Sequence, residues 1–299
     1  MPLSERIPAA AAATSLKTYL RSRYPAGVIG RLLRIHAVRV NGRRARAETA
    51  VRGGDTITIF ARAEDLERRP RFDLAAMIIH ENERLAVLNK PSGLAVHGGP
   101  SIQAGRSLLE SLQAHFQPQG ITPWLVHRLD LETSGCLVVA KERETARELE
   151  ALFKKGAVRK QYLALVVGVL PPGERRVDLE LPGRAGEPVP AVSRFRTRQA
   201  YPGAEVTLLA AVIETGRMHQ IRRHLARTLH PVVMDERYGD FAFNREFRRR
   251  FGLRRLFLHA ERIAFTLAGR PVAAAAPLPA DLQEVLDRLN AGSTPASMG

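Results

Sequence analysis

HRLDLETSG, residues 127–135, is the stretch on which the reading of this chain turns. Trp124, Leu125 and Val126 precede it, and Cys136 opens the apolar run Leu137, Val138 and Val139 behind it. Two strand-like segments therefore flank a polar loop. Thr133, Ser134 and Gly135 supply turn chemistry where the loop ends. Asp130 is expected to project from a loop held by a sheet, the usual placement of a reactive side chain. Taken alone, an aspartate there is more often a turn or cap residue.

Outward from this loop, strand-like runs fall at 85–88, 137–140, 162–167, 206–213 and 263–267. Helix-like runs fall at 108–116, 145–154, 219–229 and 280–289. So few helices between so many strands predict an α+β fold with a mixed, mainly antiparallel sheet, not a doubly wound one. One large domain over 74–290 is expected. Residues 61–73 are charged, contain Pro70 and show no apolar period, which predicts a linker. Residues 1–12 and 291–299 are expected to be disordered.

Charge is the strongest bulk signal: 46 Lys and Arg stand against 30 Asp and Glu, a formal +16. An excess of this size favours polyanionic partners, because binding phosphates releases condensed counterions. It is concentrated at the front, where residues 1–72 carry 15 Lys and Arg against 6 Asp and Glu. That asymmetry predicts a separate nucleic-acid-binding module. No apolar run reaches the ~20 residues of a membrane span, and the mildly apolar stretch at 7–13 is interrupted by Pro8 and makes a poor secretion signal. The single cysteine, Cys136, can form no internal disulfide, which points to the cytoplasm, and its apolar neighbours mark it as a small buried residue. The sequence has no phosphate-binding P-loop and no His and carboxylate set with metal-ligand spacing, so no cofactor and no metal are expected.

Within the front segment, Leu16, Tyr19 and Leu20 recur at helical spacing, and Pro25 and Gly27 break that helix. A second helix is expected from about Val28, with Arg31 and Arg34 on one face. In VRVNGRRA, residues 38–45, Val38 and Val40 alternate as on a strand and Asn41-Gly42 is a tight-turn signal. VRGGDTITIF, residues 51–60, supplies another turn and strand. This pattern over 13–60 resembles an S4 domain, a small RNA-binding module. The resemblance rests on Arg31-Leu32-Leu33, residues 38–42 and Gly54-Asp55. It implies that Arg31, Arg34, Arg39, Arg43 and Arg44 form a basic RNA-binding face.

Three further motifs accompany residues 127–135: ENERLAVLNKPSGLAVHGG at 81–99, RKQYLALVVG at 159–168 and TGRMHQIRRHLA at 215–226. In this order the four resemble the RluA family of pseudouridine synthases, over about 81–289. VHGG at 96–99, DERYGD at 235–240 and RLFLHA at 255–260 resemble the RluC-type members, which modify 23S ribosomal RNA. The resemblance implies that Asp130 is the catalytic carboxylate, attacking uridine as the base leaves its ribose. Such chemistry needs a carboxylate that stays ionised beside a base; burial opposes this and a guanidinium offsets it. Arg222 matches the family's partner. It is expected on a helix whose apolar stripe is Ile221, Leu225 and Leu229.

Tyr162 matches the family's tyrosine beside the target base, as stacking surface and general base. Lys160 shares its strand face. Arg128 is the family's candidate for filling the stack that an extruded base vacates. His127 is expected to support the loop, and Lys90 and Arg217 are candidate phosphate contacts. Met234-Asp235 departs from the Gly-Asp of many family members, so the turn before Asp235 must accommodate a Cβ. The expected partner is 23S ribosomal RNA, free or in a pre-50S particle, and the expected state is a monomer. Two alternatives stay open: a synthase of the same family acting on transfer RNA, and a non-catalytic ribosome assembly factor.

Overall fold

The computed structural model of the chain describes residues 3–9, 11–21, 23–24, 29, 32–33, 36–60, 73–98, 107–183 and 185–292. Two compact units are present, 1–74 with 95–120 and 75–94 with 121–299. The expected uninterrupted domain from 74 to 290 is therefore corrected. Residues 95–120 belong with the first unit, where Ala95 pairs with Ser107. The last helix runs on past 290 to Gly292. Arg31, Arg34, residues 61–72 of the expected linker and residues 293–299 lie outside the described residues.

The first unit contains β1 (Leu3–Arg6), β2 (Thr14–Ser15), α1 (Leu16–Arg21), β3 (Val38–Val40), β4 (Arg43–Arg44), β5 (Ala50–Val51), β6 (Thr56–Ile59) and α2 (Leu108–Phe116). Its main sheet has the order β1-β6-β3-β4, and β2 pairs with β5. The expected disorder of residues 1–12 is corrected for residues 3–7. Leu3 to Arg6 pair antiparallel with Ile59 to Thr56, and Ile7 is buried in the core with Leu16, Val38 and Ile57. Pairing covers an edge of β6 that would otherwise present open hydrogen-bonding groups. Val38 and Val40 are buried while Arg39 faces out. Asn41 and Gly42, both at positive φ (49° and 77°), close the β3–β4 turn as their types require. Ser107 and Glu110 cap α2 reciprocally.

The second unit runs β7 (Ile78–Glu81), β8 (Leu85–Lys90), β9 (Trp124–Leu125), β10 (Ser134–Ala140), α3 (Arg143–Lys154), β11 (Arg159–Val167), β12 (Glu174–Asp178), β13 (Leu181–Pro182), β14 (Pro188–Val189), β15 (Val192–Tyr201), β16 (Val206–Ile213), α4 (Gln220–Arg227), α5 (Phe241–Phe251), β17 (Leu258–Leu267), β18 (Arg270–Ala275) and α6 (Ala280–Gly292). A 10-stranded sheet has the order β12-β15-β16-β11-β17-β10-β8-β7, with β18 beside β17 and β9 beside β10. Its described pairings are antiparallel except β10 with β17, parallel at Ser134 with His259 and Gly135 with Ala260. Every residue of β10 is buried, as its unbroken apolar run demands.

Ala146 and Leu149 of α3 pack with Val87 and Val138. Phe247 of α5 and Leu282 and Val285 of α6 pack with Leu165, Val206 and Leu208. Gly135 explains its own place in the central motif. Its φ is 112°, and a Cβ there would lie 2.2 Å from the Ala260 carbonyl oxygen. No helix among the described residues is long and apolar enough to cross a membrane.

Candidate active site

The loop between β9 and β10 carries Asp130 and is held along its length. Residues of the NKPSG segment grip it from one side: Gly93 N donates to Leu131 O (2.8 Å) and Ser92 Oγ to Glu132 O (2.8 Å). Lys90 Nζ donates to Pro91 O (2.9 Å), Leu94 O (3.0 Å) and Leu131 O (3.3 Å). Lys90 is fully buried, so its expected role as a phosphate contact is corrected. It ends β8, and its stem turns inward where a strand lysine would ordinarily reach solvent. Burial pushes its ammonium down to about 7, with Asp130 working against that shift. Three acceptor carbonyls match the three hydrogens of an ammonium.

Both ends of the loop are also fixed. His127 Nε2 accepts from Val138 N (2.8 Å), and its ring stacks on Phe153 at 4.5 Å. Burial, reinforced by Lys160, pushes His127 down to about 3, so the ring is neutral and accepts as the geometry needs. His127 thus supports the loop, as expected from the sequence. At the far end Ser134 Oγ lies 3.0 Å from His259 Nδ1 and accepts from Arg255 Nη1 (3.2 Å). Arg255 is itself bound at Nε and Nη2 by Asp281.

Arg222 lies on α4, 4% exposed. Its Nε and Nη2 donate to the two oxygens of Asp235 (2.6 and 2.8 Å). Nη1 stands 3.8 Å from Asp130 Oδ2, and Nη2 3.3 Å from Glu132 Oε2. Three carboxylates surround one guanidinium. Burial opposes the Arg222 charge, but the Asp235 bonds outweigh it and hold the group above its usual value. Asp235 is fully buried and also accepts from the backbone N–H groups of Arg237 and Tyr238 (both 2.9 Å). Burial works against its charge, yet these bonds keep it below the ordinary carboxylate range. Glu132 is pushed up, first by burial.

The helix differs from its expected span in two physical details. It starts at Gln220, with His219 as a left-handed cap (φ 54°), and Leu229 follows it at φ 65°. Ile221 and Leu225 are buried, but Leu229 is 84% exposed and not part of the packed stripe. The left-handed turn carries His219 toward the loop. Its Nε2 is 3.8 Å from Asp130 Oδ1 and its Nδ1 3.0 Å from the Tyr238 hydroxyl. Burial lowers the His219 pKa and Asp130 opposes that. Met234 adopts φ 62°, so the turn before Asp235 holds a Cβ in a left-handed conformation, with Met234 N bound by Asn244 Oδ1 (2.8 Å).

Asp130, Tyr162 and Arg222 all line one cavity of about 770 Å³, together with His127, Arg128, Lys160, Arg217 and His219. Tyr162 on β11 is almost wholly buried, and burial, with the Asp130 charge second, pushes its phenol far up. The protonated phenol is therefore favoured at neutral pH, which weighs against the expected general-base role. Lys160 shares the cavity, and burial lowers its pKa. Arg128 and Arg217 are exposed at the cavity, with Arg217 Nε donating to Pro190 O (3.1 Å). Arg39, Arg43 and Arg44 are exposed in the first unit.

Sequence reading missed the parts played by Asp235, Glu132, Tyr238 and His219. DERYGD held the signal for two of them, since a carboxylate two residues before an arginine and three before a tyrosine suits a side chain accepting backbone N–H groups in a turn. Cys136 is buried and burial pushes its thiol up to about 11, which leaves it inert.

The RNA pseudouridylate synthase family matches residues 84–227. "Ribosomal large subunit pseudouridine synthase C" of Vibrio vulnificus (strain CMCP6) is 37% identical over 284 residues, 89% of this chain and 88% of the relative. The protein of that name from Escherichia coli (strain K12) is 36% identical over 301 residues, 92% of this chain and 91% of its own. Among solved structures, "Human RNA Pseudouridylate Synthase Domain Containing 4" is similar with a TM-score of 0.58 and 26% identity. That likeness covers 73% of this chain and 94% of the human one.

Proposed function

We propose, from the premise that the chain belongs to the RNA pseudouridylate synthase family, that it isomerises specific uridines to pseudouridine in 23S ribosomal RNA. The carrying observation is the cavity in which Asp130 stands 3.8 Å from the buried Arg222, with Tyr162 in the same wall. A target uridine is extruded from its stack into this cavity. The N1–C1′ bond breaks, a C5–C1′ bond forms, C5 loses a proton and N1 gains one, so neither an oxidant nor a transferred group is needed. Asp130 is the nucleophilic carboxylate. Arg222, locked by Asp235, supplies a counter-charge that cannot swing away. Pre-fixed charge of this kind costs no reorganisation as the reaction proceeds. The Tyr162 ring is the surface on which uracil lies.

Arg128 takes the place of the extruded base, and Arg217 and Lys160 meet neighbouring phosphates. The first unit acts as an S4-like RNA-binding module that raises the local concentration of target sites. Arg39 and Arg44 face each other across its β3–β4 pair, an arrangement that a polyanion relieves. The chain works as a cytoplasmic monomer on 23S RNA, free or in a pre-50S particle.

Pseudouridine mapping on 23S and transfer RNA tests this reading, in cells lacking the protein and complemented with wild type or Asp130→Asn. Discrete 23S sites vanish and only the wild type restores them. An unchanged 23S pattern overturns the substrate, and lost transfer-RNA sites would reassign it. Asp130→Asn retains RNA binding; loss of binding to the same degree as activity makes Asp130 structural.

A further inference from the structure

Eleven residues after the cap Asp240 form α5, FAFNREFRRRF, and its two sides differ sharply. Phe243, Phe247 and Phe251 fall at i, i+4 and i+8. Their rings pack on one another (5.7 and 4.6 Å between centroids) and against the core. Phe241 is not among them. It is the first residue of the helix, is 58% exposed, and heads a stripe on which Arg245 and Arg248 follow at i+4 and i+7 with Arg249 beside them. Arg249 is tied to Glu246 (2.7 Å), Arg248 has only a 3.8 Å contact to Glu236, and Arg245 has no ion pair among the described residues.

We propose that this outward stripe of α5, Phe241 with Arg245, Arg248 and Arg249, is a docking surface for the RNA strand flanking the target uridine. The inference rests on the reading that the substrate is RNA. An exposed aromatic ring above a ladder of guanidiniums is what an unstacked base and its following phosphates require. The ring stacks on the base, and the guanidiniums of Arg245 and Arg248 offer forked donors to phosphate oxygens. A membrane surface fits less well, because a helix lying in a bilayer needs a free apolar face and that of α5 is spent on the core.

Position supports the same occupant. Asn244, on the inner side of α5, donates to Asp235 O (3.1 Å) and accepts from Met234 N. Asp235 binds Arg222, and Arg222 stands beside Asp130. The helix that bears the stripe is thus bonded to the segment that holds Arg222 beside Asp130. It can fix the strand's path as the uridine enters.

The test is equilibrium binding of the full chain to unmodified 23S transcript at several salt concentrations. Phe241→Ala weakens binding about 5- to 150-fold, the range for losing one stacked base. Phe241→Leu, which keeps an apolar helix start, shows most of that loss. The double variant Arg245→Ala/Arg248→Ala reduces the slope of log affinity against log salt by about 1.5. Arg270→Ala, at an exposed arginine that opens β18, matches wild type. Affinity and slope equal to wild type in the α5 variants overturn the proposal. So does a loss confined to vesicles of anionic lipid.

Uridine conversion by the wild type is scored separately. If the wild type converts none while the α5 variants still lose affinity, the proposed activity falls and this surface stands. If the wild type converts and the α5 variants bind as tightly, the surface falls and the activity stands.

Discussion

Replacing Lys90 by Met separates a loop anchor from an RNA contact. Methionine fills the space of the lysine stem without a cavity. It also leaves the carbonyls of Pro91 and Leu94 without the Lys90 donor, while Leu131 O keeps the Gly93 N–H. Each stranded buried acceptor costs about 1–3 kcal/mol, offset by the charge that no longer needs burying. The net loss is about 2–5 kcal/mol, a fall in Tm of roughly 5–15 °C. Because Leu131 adjoins Asp130, kcat falls with stability while KM and its salt dependence hold.

The loss should also depend on pH. Lys90 titrates near 7 when folded and near 10.4 when unfolded, so between those values the unfolded chain binds the extra proton. Wild-type stability therefore rises with pH across that window relative to the variant, by at most about 1.4 kcal/mol per pH unit, and the variant's deficit widens. Urea unfolding of both proteins at pH 6.5, 8 and 9.5, with steady-state kinetics, reads every quantity. Unchanged stability with a raised, salt-dependent KM would refute the anchor and return Lys90 to the RNA surface.

Other changes have equally definite outcomes. Asp235→Asn breaks a buried bidentate pair and strands the Arg222 charge, so urea unfolding shows a loss of about 3–5 kcal/mol and turnover falls steeply. Retained stability and rate would mean Asp130 and Glu132 hold Arg222 unaided. Gly135→Ala puts a Cβ against the Ala260 carbonyl at a φ alanine avoids, and costs more than about 3 kcal/mol; a midpoint near wild type refutes the close approach. Since burial keeps the Tyr162 phenol protonated, single-turnover profiles of wild type and Tyr162→Phe share one shape from pH 6 to 9. Tyr162→Ala loses a further 10- to 100-fold or so with the stacking surface. A limb present only in the wild type would restore tyrosine as a base.

Much of this was legible because local signals agreed with their surroundings. The helix at 108–116 and the strand at 206–213 occupy the residues their apolar patterns predicted. β15 was not seen, because VSRFRTRQAY alternates through Arg194, Arg196 and Arg198 on its open side and shows little apolar content. α5 was passed over for a similar reason: its apolar spacing, its Asp240 cap and its closing Gly252 at φ 74° were masked by four arginines. Around the Asp130 loop, pattern singled out Asp130, Tyr162 and Arg222, which line one cavity, but not what holds them. A lysine closing a strand gives no warning that its stem turns inward. The left-handed turn at His219 lies on a non-glycine residue, where sequence offers no cue. The 95–120 excursion into the first unit depends on long-range packing that periodicity does not encode.

β17 has a consequence for how the chain comes off the ribosome. In the sheet it separates β10, which ends the Asp130 loop, from β11, which carries Tyr162. Those two strands are close in sequence yet share no ladder without it. Until residues 258–267 have been translated and have cleared the exit tunnel, the pocket has two unjoined walls. A chain truncated before residue 258 lacks the strand that joins the Asp130 loop to Tyr162, so the two walls are never held in one sheet.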